Sequence, residues 1–150
     1  MTFTPANPDF EARTRASFAR QGAMAFIGAE LERVEPGLVQ VGLGYRTELS
    51  QQHGFFHAGI ISTIADSAGG YAGFTLFPAD SGVLTVEFKI NLIAPADGER
   101  AIAVGEVLRS GRTLTVCRLD AFVEKNGKRT PCATGLQTLM TVVGRAGVKD

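Results

Sequence analysis

The spacing of apolar residues first follows a helical period and later alternates, and this change predicts where helices give way to strands. Residues 8–20 repeat apolar side chains at helical spacing with charges between them, which predicts a short amphipathic helix. Its apolar positions are Phe10, Ala12, Ala16 and Phe18. Residues 24–34 and 38–47 are rich in β-forming residues, and the Glu-Pro-Gly sequence between them predicts a turn. A β-hairpin is therefore expected after the first helix.

A second helical run covers residues 57–75 and predicts the one long helix of the chain. Six apolar side chains of this run fall on one helical face: Ile60, Ile61, Ile64, Ala65, Ala68 and Ala72. Pro78 ends any continuation, because proline lacks the backbone N–H that a helix needs. At about 1.5 Å per residue this helix would be about 28 Å long.

Apolar and polar residues alternate after this helix almost to the C-terminus. The alternation is clearest at residues 84–92, where it predicts a strand with one buried face. That face would carry Leu84, Val86, Phe88, Ile90 and Leu92. Further strands are expected at 100–109, 112–123 and 130–142, separated by turn sequences. Four consecutive strands with short turns predict an antiparallel meander, and only the tail after Val143 is expected to be loose.

Together these runs predict an α+β fold, in which an antiparallel sheet of about six strands packs on one long helix. The chain has 150 residues, 45% of them hydrophobic, which suits a single domain over residues 1–150. Its 15 basic and 15 acidic residues balance, so neither nucleic acid nor a membrane is expected as a partner. The chain shows no secretory signal and no run near the roughly 18 apolar residues that span a bilayer. The cytoplasm is therefore the expected compartment.

The two cysteines of the chain lack the spacing of a metal-binding or redox pair. Cys117 and Cys132 lie in strand-like segments, without a Cys-x-x-Cys sequence. They are expected to be small buried hydrophobic residues, and no metal site is expected.

One carboxylate, Asp66, stands in the middle of the long helix. Asp is a poor helix former, and burying its charge without a partner costs free energy. At about 100° per residue, Asp66 lies about 200° from Ile64 on a face of small residues. These are Ser62, Thr63, Gly69, Gly70 and Gly73. Three glycines in a helix cost about 2.5 to 3 kcal/mol relative to alanines, which suggests close approach by a second subunit or an extended ligand. The alternative is a solvent-facing Asp66 beside glycines without a role.

The loop before the helix is polar and rich in hydrogen-bonding groups. Gln51, Gln52, His53 and His57 lie within seven positions. The first backbone N–H groups of a helix have no intrahelical acceptor and carry partial positive charge. Those of Ala58 and Gly59 would therefore suit a developing oxyanion. The alternative for His57 is that it caps the helix or bonds within the loop.

These residues resemble those of the hotdog-fold acyl-CoA thioesterases of the phenylacetate-degradation and 4-hydroxybenzoyl-CoA type. In that family a His-Gly-Gly-like turn precedes a helix carboxylate by nine residues, and an Asn or Gln precedes the His by six. This chain has Gln51, then His57-Ala58-Gly59, then Asp66. The family's Ser or Thr early in the next strand is matched by Thr85. The resemblance covers residues 25–142 and implies a hairpin, a long central helix and a four-strand meander.

The resemblance implies hydrolysis of an acyl-CoA thioester at a site shared across the interface of a homo-oligomer, a dimer or a tetramer built as a dimer of dimers. Asp66 would act as general base on water, or as a nucleophile through an anhydride. The Ala58 N–H would polarise the thioester carbonyl, and Gln51 would position the water or the carbonyl. Thr85 would bond the water or Asp66, and His57 would orient the loop or face the sulfur. No cofactor is implied, because coenzyme A is part of the substrate.

The turn at residues 109–113 resembles the family's turn before the fifth strand, which lies near the CoA nucleotide. Arg109 and Arg112 would pair with phosphate oxygens, and Gly111 would free backbone N–H groups beside Thr113. The alternative is an ordinary solvated hairpin turn.

Two positions depart from the family pattern, and two other functions stay open. Ala58 replaces the first glycine after the His, and Gly70 stands where some members have Ser or Thr. Neither change removes the backbone donor. A hotdog dehydratase or hydratase is one alternative, although its proline-rich loop and helix glutamate are missing here. A non-catalytic acyl-CoA sensor or scaffold is the other.

Overall fold

The order of helices and strands follows the periodic runs of the sequence. The computed structural model describes residues 2–148. Its elements are α1 Phe10–Ala19, α2 Gly22–Ile27, β1 Ala29–Glu35, β2 Leu38–Gly44, a 3-10 turn Thr47–Leu49, α3 Ala58–Phe74, β3 Ser81–Leu92, β4 Arg100–Ser110, β5 Leu114–Lys125 and β6 Lys128–Val143. The α+β class, the six strands and the long helix are therefore confirmed.

The segment before β1 is helical, where the sequence predicted a strand from residue 24. Gly28 adopts the left-handed conformation with φ 77°, and its N–H donates to the carbonyls of Met24 and Ala25. This arrangement closes a short helix, and glycine allows it without strain. Met24 and Ile27 point into the core from one face of α2. The first strand therefore begins only at Ala29.

Helix α1 buries only part of the predicted apolar stripe, since Phe18 is buried and Phe10 packs against the core. Its buried residues are Thr14, Ser17 and Phe18, whereas Ala12 and Ala16 are exposed. The Ser17 hydroxyl lies 3.1 Å from the Tyr71 hydroxyl of α3. Because a hydrogen-bonded polar group is tolerated inside a protein, the apolar pattern alone did not identify the face.

The strands form one antiparallel sheet in the order β1-β2-β4-β5-β6-β3. The predicted four-strand meander is wrong in one respect, since β3 pairs with β6 and not with β4. Only β4, β5 and β6 follow one another across the sheet. The chain between β3 and β4 runs across the end of the sheet, where Ala96 O accepts from the Phe56 N–H at 3.0 Å. This segment is a crossover, although Pro95 to Gly98 had predicted a turn between two neighbouring strands.

Helix α3 lies against all six strands, so the sheet wraps around it. At Gly105 of β4 a side chain would overlap the backbone of Ala68 in α3. Gly69 and Gly73 likewise face the sheet, where a side chain would overlap Gln137 and Leu139 of β6. The expectation that these glycines meet a second subunit or a ligand is therefore wrong for two of the three, and only Gly70 faces open space. A sheet wrapped on one central helix is the hotdog fold.

Strand β3 is an edge strand with exposed apolar side chains. The sequence predicted a buried face for it, but several of these residues are exposed in the single chain: Leu84 42%, Val86 51%, Phe88 41% and Leu92 58%. The register shifts between Thr85 and Glu87, which marks a β-bulge at Val86. Beyond β3 no further strand follows within residues 2–148. An apolar edge of this kind is a typical surface for strand pairing.

The tail after β6 forms a turn instead of extending the sheet. The N–H of Val148 donates to Arg145 O at 3.1 Å, and its side chain packs over Gly82 of β3. The rest of the predicted loose tail, residues 149 and 150, lies outside the described residues. No helix within residues 2–148 is long and apolar enough to cross a membrane.

Candidate active site

The carboxylate of Asp66 lies where α3 meets strands β3 and β6. Asp66 is half-buried, and its Oδ1 accepts hydrogen bonds from Thr85 Oγ1 at 2.9 Å and from Gln137 Nε2 at 2.6 Å. Its other oxygen, Oδ2, has no hydrogen-bond partner within residues 2–148. One carboxylate oxygen is therefore held and the other is open. The structure brings together the two predicted residues Asp66 and Thr85.

Gln137 completes this cluster and was not predicted from the sequence. It is fully buried, at 0% exposure. Its Nε2 lies 3.0 Å from Thr85 Oγ1 and 3.2 Å from the Asp66 carbonyl oxygen. The available signal was a polar residue at an inward position of β6, in step with Ala133 and Leu139, which are also buried. A polar residue at such a position has to find partners inside the fold.

A small cavity of about 100 Å³ opens beside Asp66. It is lined by Gln21, Asp66, Ser67, Gly70, Tyr71, Val83 and Thr85. The absent side chain at Gly70 keeps this space open. At about 30 Å³ for each water in the liquid, the cavity has room for about three water molecules.

The loop before α3 is a closed turn that presents Gln51. The Gln51 N–H donates to Phe55 O at 2.9 Å, and the Gly54 N–H donates to Gln51 O at 3.0 Å. Gly54 has φ 81°, a conformation that favours glycine. The side-chain oxygen of Gln51 accepts from the His53 N–H. The side-chain nitrogen of Gln51 has no partner among the described residues, so it can donate to a ligand.

His57 caps helix α3, and this capping decides which backbone donors are free. His57 Nδ1 accepts from the Gly59 N–H at 2.9 Å. The Gly59 N–H is therefore engaged in this structure, although the sequence had assigned it to substrate binding. The Ala58 N–H occupies the first helical position, where a helix provides no acceptor. Of the two predicted oxyanion donors, Ala58 is the one left available.

A larger cavity of about 530 Å³ adjoins the start of α3. Most of its lining is apolar: Gln51, Phe55, Phe56, Ala58, Ile61, Leu92, Ile93, Ala94, Pro95, Ala96 and Cys132. Its volume falls in the range of about 300 to 1,000 Å³ that is typical of small-molecule sites.

The predicted site residues form two groups within one chain. Gln51 and Ala58 line the large cavity, Asp66 and Thr85 line the small one, and the two cavities share no lining residue. Ala58 and Asp66 lie on the same helix about 12 Å apart along its axis, at about 1.5 Å per residue. A thioester carbonyl cannot contact both groups in a single chain.

The predicted nucleotide-binding turn is exposed between β4 and β5. The Gly111 N–H donates to Leu114 O at 2.9 Å, and the carbonyl of Thr113 accepts from the Thr141 N–H at 2.9 Å. Neither Arg109 nor Arg112 forms an ion pair or a side-chain hydrogen bond within residues 2–148. The sheet register puts this turn at the same end as Thr85, because Ser110, Thr115, Leu139 and Thr85 form one row across four strands. The geometry fits a solvated turn and leaves both guanidinium groups free.

The cysteines are free thiols in the core. Cys117 and Cys132 are both buried, as predicted. Burial raises the pKa of Cys117 to about 12 and that of Cys132 to about 11. Within residues 2–148 no three His, Cys, Asp or Glu side chains are grouped as metal ligands.

The candidate site thus combines a helix carboxylate held by the sheet with an open helix start, on a hotdog fold. The sequence model of the Thioesterase superfamily matches residues 53–130, just over half of the chain. The chain belongs to this superfamily, whose general chemistry is thioester hydrolysis.

Several solved structures share the fold over most of their length. A thioesterase family protein of Silicibacter pomeroyi is 47% identical, with a TM-score of 0.89 over 90% of this chain and 99% of that one. A thioesterase of Haemophilus influenzae has a TM-score of 0.78 at 19% identity, covering 98% and 96% of the two chains. The PaaI protein of the Escherichia coli phenylacetic acid degradation operon has the same TM-score at 16% identity, covering 93% and 97%.

Proposed function

We propose that the protein hydrolyses an acyl-CoA thioester to a free acid and CoA, with Asp66 as general base. The observation that supports this most is the Asp66 carboxylate itself, with Oδ1 held by Thr85 and Gln137 and Oδ2 open. Membership of the superfamily supports thioester hydrolysis in general. The CoA carrier, the role of Asp66 and the shared site are the parts that we propose.

The reaction would begin with water between Asp66 and the thioester. The water gives a proton to Asp66 Oδ2 while its oxygen adds to the carbonyl carbon. The Ala58 N–H donates to the oxyanion that forms, where the positive end of the α3 dipole also favours negative charge. The C–S bond then breaks, and the proton on Asp66 passes to the departing CoA thiolate. In the alternative route Asp66 Oδ2 attacks the carbonyl carbon and the C–S bond breaks, which releases the CoA thiolate and leaves a mixed anhydride. Water then hydrolyses the anhydride to the free acid and the Asp66 carboxylate, and the proton set free passes to the thiolate.

A second copy of the chain would complete the site through strand β3. Antiparallel pairing of two β3 strands would extend the sheet and cover the exposed side chains of Val86, Phe88 and Leu92. A two-fold axis near Phe88 would bring Thr85 of one chain towards Leu92 of the other. Leu92 lines the large cavity, so the carboxylate of one subunit would face the Ala58 N–H of its partner.

The outer face of the sheet offers a surface for a dimer of dimers. Leu114, Leu136 and Met140 are exposed on it at 48%, 52% and 38%. Leu84 and Leu114 both pair with Met140 in the sheet register, so these side chains form a continuous apolar row. Covering that row with a second dimer would give a homotetramer.

The large cavity and the exposed turn would bind different parts of the substrate. The apolar lining at Phe55, Phe56 and Ile61 suits an acyl group. Arg109 and Arg112 would bind the phosphates of CoA, with Gly111 and Thr113 shaping the turn. No cofactor would be needed for this chemistry.

A thiol-release assay with short, long and aryl acyl-CoAs tests the proposal, with Asp66→Asn as the blank. General base catalysis contributes about 10²- to 10⁴-fold, so kcat is expected to fall by at least about 10²-fold in Asp66→Asn. The variant should keep the wild-type circular dichroism spectrum and unfolding midpoint. Unchanged turnover in Asp66→Asn would overturn the proposal. Acyl-CoA binding without thiol release by the wild type would indicate a sensor, and an enoyl product from 3-hydroxyacyl-CoA would indicate a dehydratase.

A further inference from the structure

We propose that Gln137 is a positioning residue, whose amide holds Asp66 Oδ1 so that Oδ2 is presented to the substrate. The inference rests on the proposed function. It concerns a residue of the last strand that the sequence motifs do not include.

The hydrogens of the cluster can be assigned to acceptors without conflict. Gln137 Nε2 carries two hydrogens and lies 2.6 Å from Asp66 Oδ1 and 3.0 Å from Thr85 Oγ1. Thr85 Oγ1 accepts one of them and uses its own hydrogen on Asp66 Oδ1, at 2.9 Å. Oδ1 therefore receives a direct bond from Gln137 and a second bond from a hydroxyl that Gln137 orients. The reverse amide orientation would place a carbonyl oxygen against the carboxylate.

The side-chain oxygen of Gln137 indicates that the amide nitrogen is the functional end of this side chain. Gln137 Oε1 is buried and has no hydrogen-bond partner among the described residues. A buried carbonyl oxygen without a donor destabilises a fold. A methionine would fill nearly the same space without that penalty. The presence of an amide is then explained by what Nε2 does for Asp66.

The cluster also connects three separate elements. Asp66 lies on α3, Thr85 on β3 and Gln137 on β6, and β3 and β6 are paired in the sheet. The backbone carbonyl oxygen of Asp66 lies 3.2 Å from Gln137 Nε2 and shares one of its two hydrogens as a weaker, second acceptor. The amide therefore fixes the carboxylate relative to the helix backbone and to the edge strand together. Such fixing keeps a base in its reactive geometry before the substrate arrives.

Gly69 provides the space that Gln137 needs. A side chain at residue 69 would overlap Gln137 Oε1. Gly73, one turn further along α3, faces the sheet in the same way, but a side chain there would overlap Leu139 and would not reach Gln137. The two glycines therefore form a matched pair, in which only one substitution disturbs the amide.

The kinetic test compares Gln137→Met with the wild type in the thiol-release assay. A hydrogen bond to a charged group is worth about 10- to 100-fold, so kcat should fall by about that factor while KM stays within about twofold. In the Asp66→Asn background the same substitution should have no further effect, because Gln137 acts through Asp66. A kcat within twofold of wild type in a folded Gln137→Met protein would overturn the inference while leaving the proposed function intact.

The glycine pair gives an independent variant. Gly69→Ala should lower kcat as Gln137→Met does, because it displaces the amide. Gly73→Ala should keep kcat within about threefold, whatever its effect on the unfolding midpoint. Equal losses of kcat in the two variants would point to general crowding of the helix and against a positioning role.

An NMR measurement without substrate tests the contact between Gln137 and Asp66, even if the protein releases no thiol. In a nitrogen-15 NMR spectrum the buried Gln137 amide protons should exchange slowly and shift in Asp66→Asn. The exposed Gln52 amide serves as the fast-exchanging reference. A Gln137 amide that exchanges as fast as that of Gln52, or does not respond to Asp66→Asn, would refute the contact. If the wild type and Asp66→Asn release thiol equally, the proposed function fails, and these spectra still decide whether Gln137 holds Asp66.

Discussion

The hydroxyl of Thr85 has one hydrogen, and its surroundings determine where that hydrogen goes. Asp66 Oδ1 lies 2.9 Å away as an acceptor, and Gln137 Nε2 lies 3.0 Å away as a donor. The hydroxyl therefore donates to the carboxylate, whereas the sequence had left open whether it bonds Asp66 or the reacting water. Thr85 is a second support for the carboxylate in this geometry.

Replacing the Thr85 hydroxyl should weaken catalysis without unfolding the protein. Thr85→Val keeps the side-chain shape and removes a bond to a charged oxygen, which predicts a kcat lower by about tenfold or more. Thr85→Ser keeps the hydroxyl and should retain kcat within about threefold. Thiol release by both variants, with their unfolding midpoints, checks this. Equal activities in the two variants would contradict the role of the hydroxyl.

The sequence identified Asp66 but could not identify Gln137. Asp66 stood out because a charged residue interrupts an otherwise apolar and small-residue helix. Its contact with Gln137 spans 71 positions along the chain, and it depends on which strands are neighbours. No local pattern contains that information. The spacing of Gln51, His57 and Asp66 was readable, because all three lie within one loop and the helix that follows it.

At the level of the elements, local signals fixed the ends of α3, while strand order depended on distant contacts. His57 caps the start of the helix, and Pro78 follows its end, so both limits were predicted within a residue. The pairing of β3 with β6 was missed, because a proline-glycine segment has the same composition in a tight turn and in a crossover. The helix at Gly22–Ile27 was missed because six residues are too few to show a helical period, and its last two residues, Phe26 and Ile27, favour the strand predicted from residue 24.

The contact between α3 and β4 should tolerate no side chain at Gly105. A methyl group there would overlap the backbone of Ala68, which cannot move aside as a side chain can. Gly105→Ala should therefore lower the free energy of unfolding by about 3 kcal/mol or more. Gly44→Ala is the control, because that strand glycine has nothing within 4 Å of an added Cβ. Urea unfolding of both variants measures the difference, and similar midpoints would contradict the close contact.

At the level of the whole molecule, the two cavities are separate in one chain, and the proposed second subunit would bring their residues together. One cavity is lined by Gln51 and Ala58, and the other by Asp66 and Thr85. These two pairs of residues do not meet within one chain. The exposed edge of β3 supplies the surface through which two copies would join them. The sequence suggested a site shared between two subunits through the family resemblance. The apolar face of β3 did not suggest it, because that face was expected to be buried within one chain.

Subunit mixing should restore activity if each site takes residues from two chains. Asp66→Asn and Gln51→Ala homodimers should each be nearly inactive. Mixing them after reversible dissociation should give heterodimers with one intact site, and about a quarter of the wild-type activity at equal amounts. Sites contained in single chains would give no recovery. Light scattering of the separate and mixed proteins confirms that the dimer is present in each sample.

The exposed edge of strand β3 also exposes a single chain to unwanted pairing with strands of other proteins. In a single chain its open edge can add any extended segment by backbone hydrogen bonding, and its exposed apolar side chains favour such pairing. The bulge at Val86 and the charges of Glu87 and Lys89 interrupt the strand near its middle. A partner with the same bulge and complementary positions can be accommodated, whereas a regular foreign strand fits poorly. If the proposed dimer forms through β3, the irregularity of this strand would thus protect the single chain from aggregation before it pairs with its own copy.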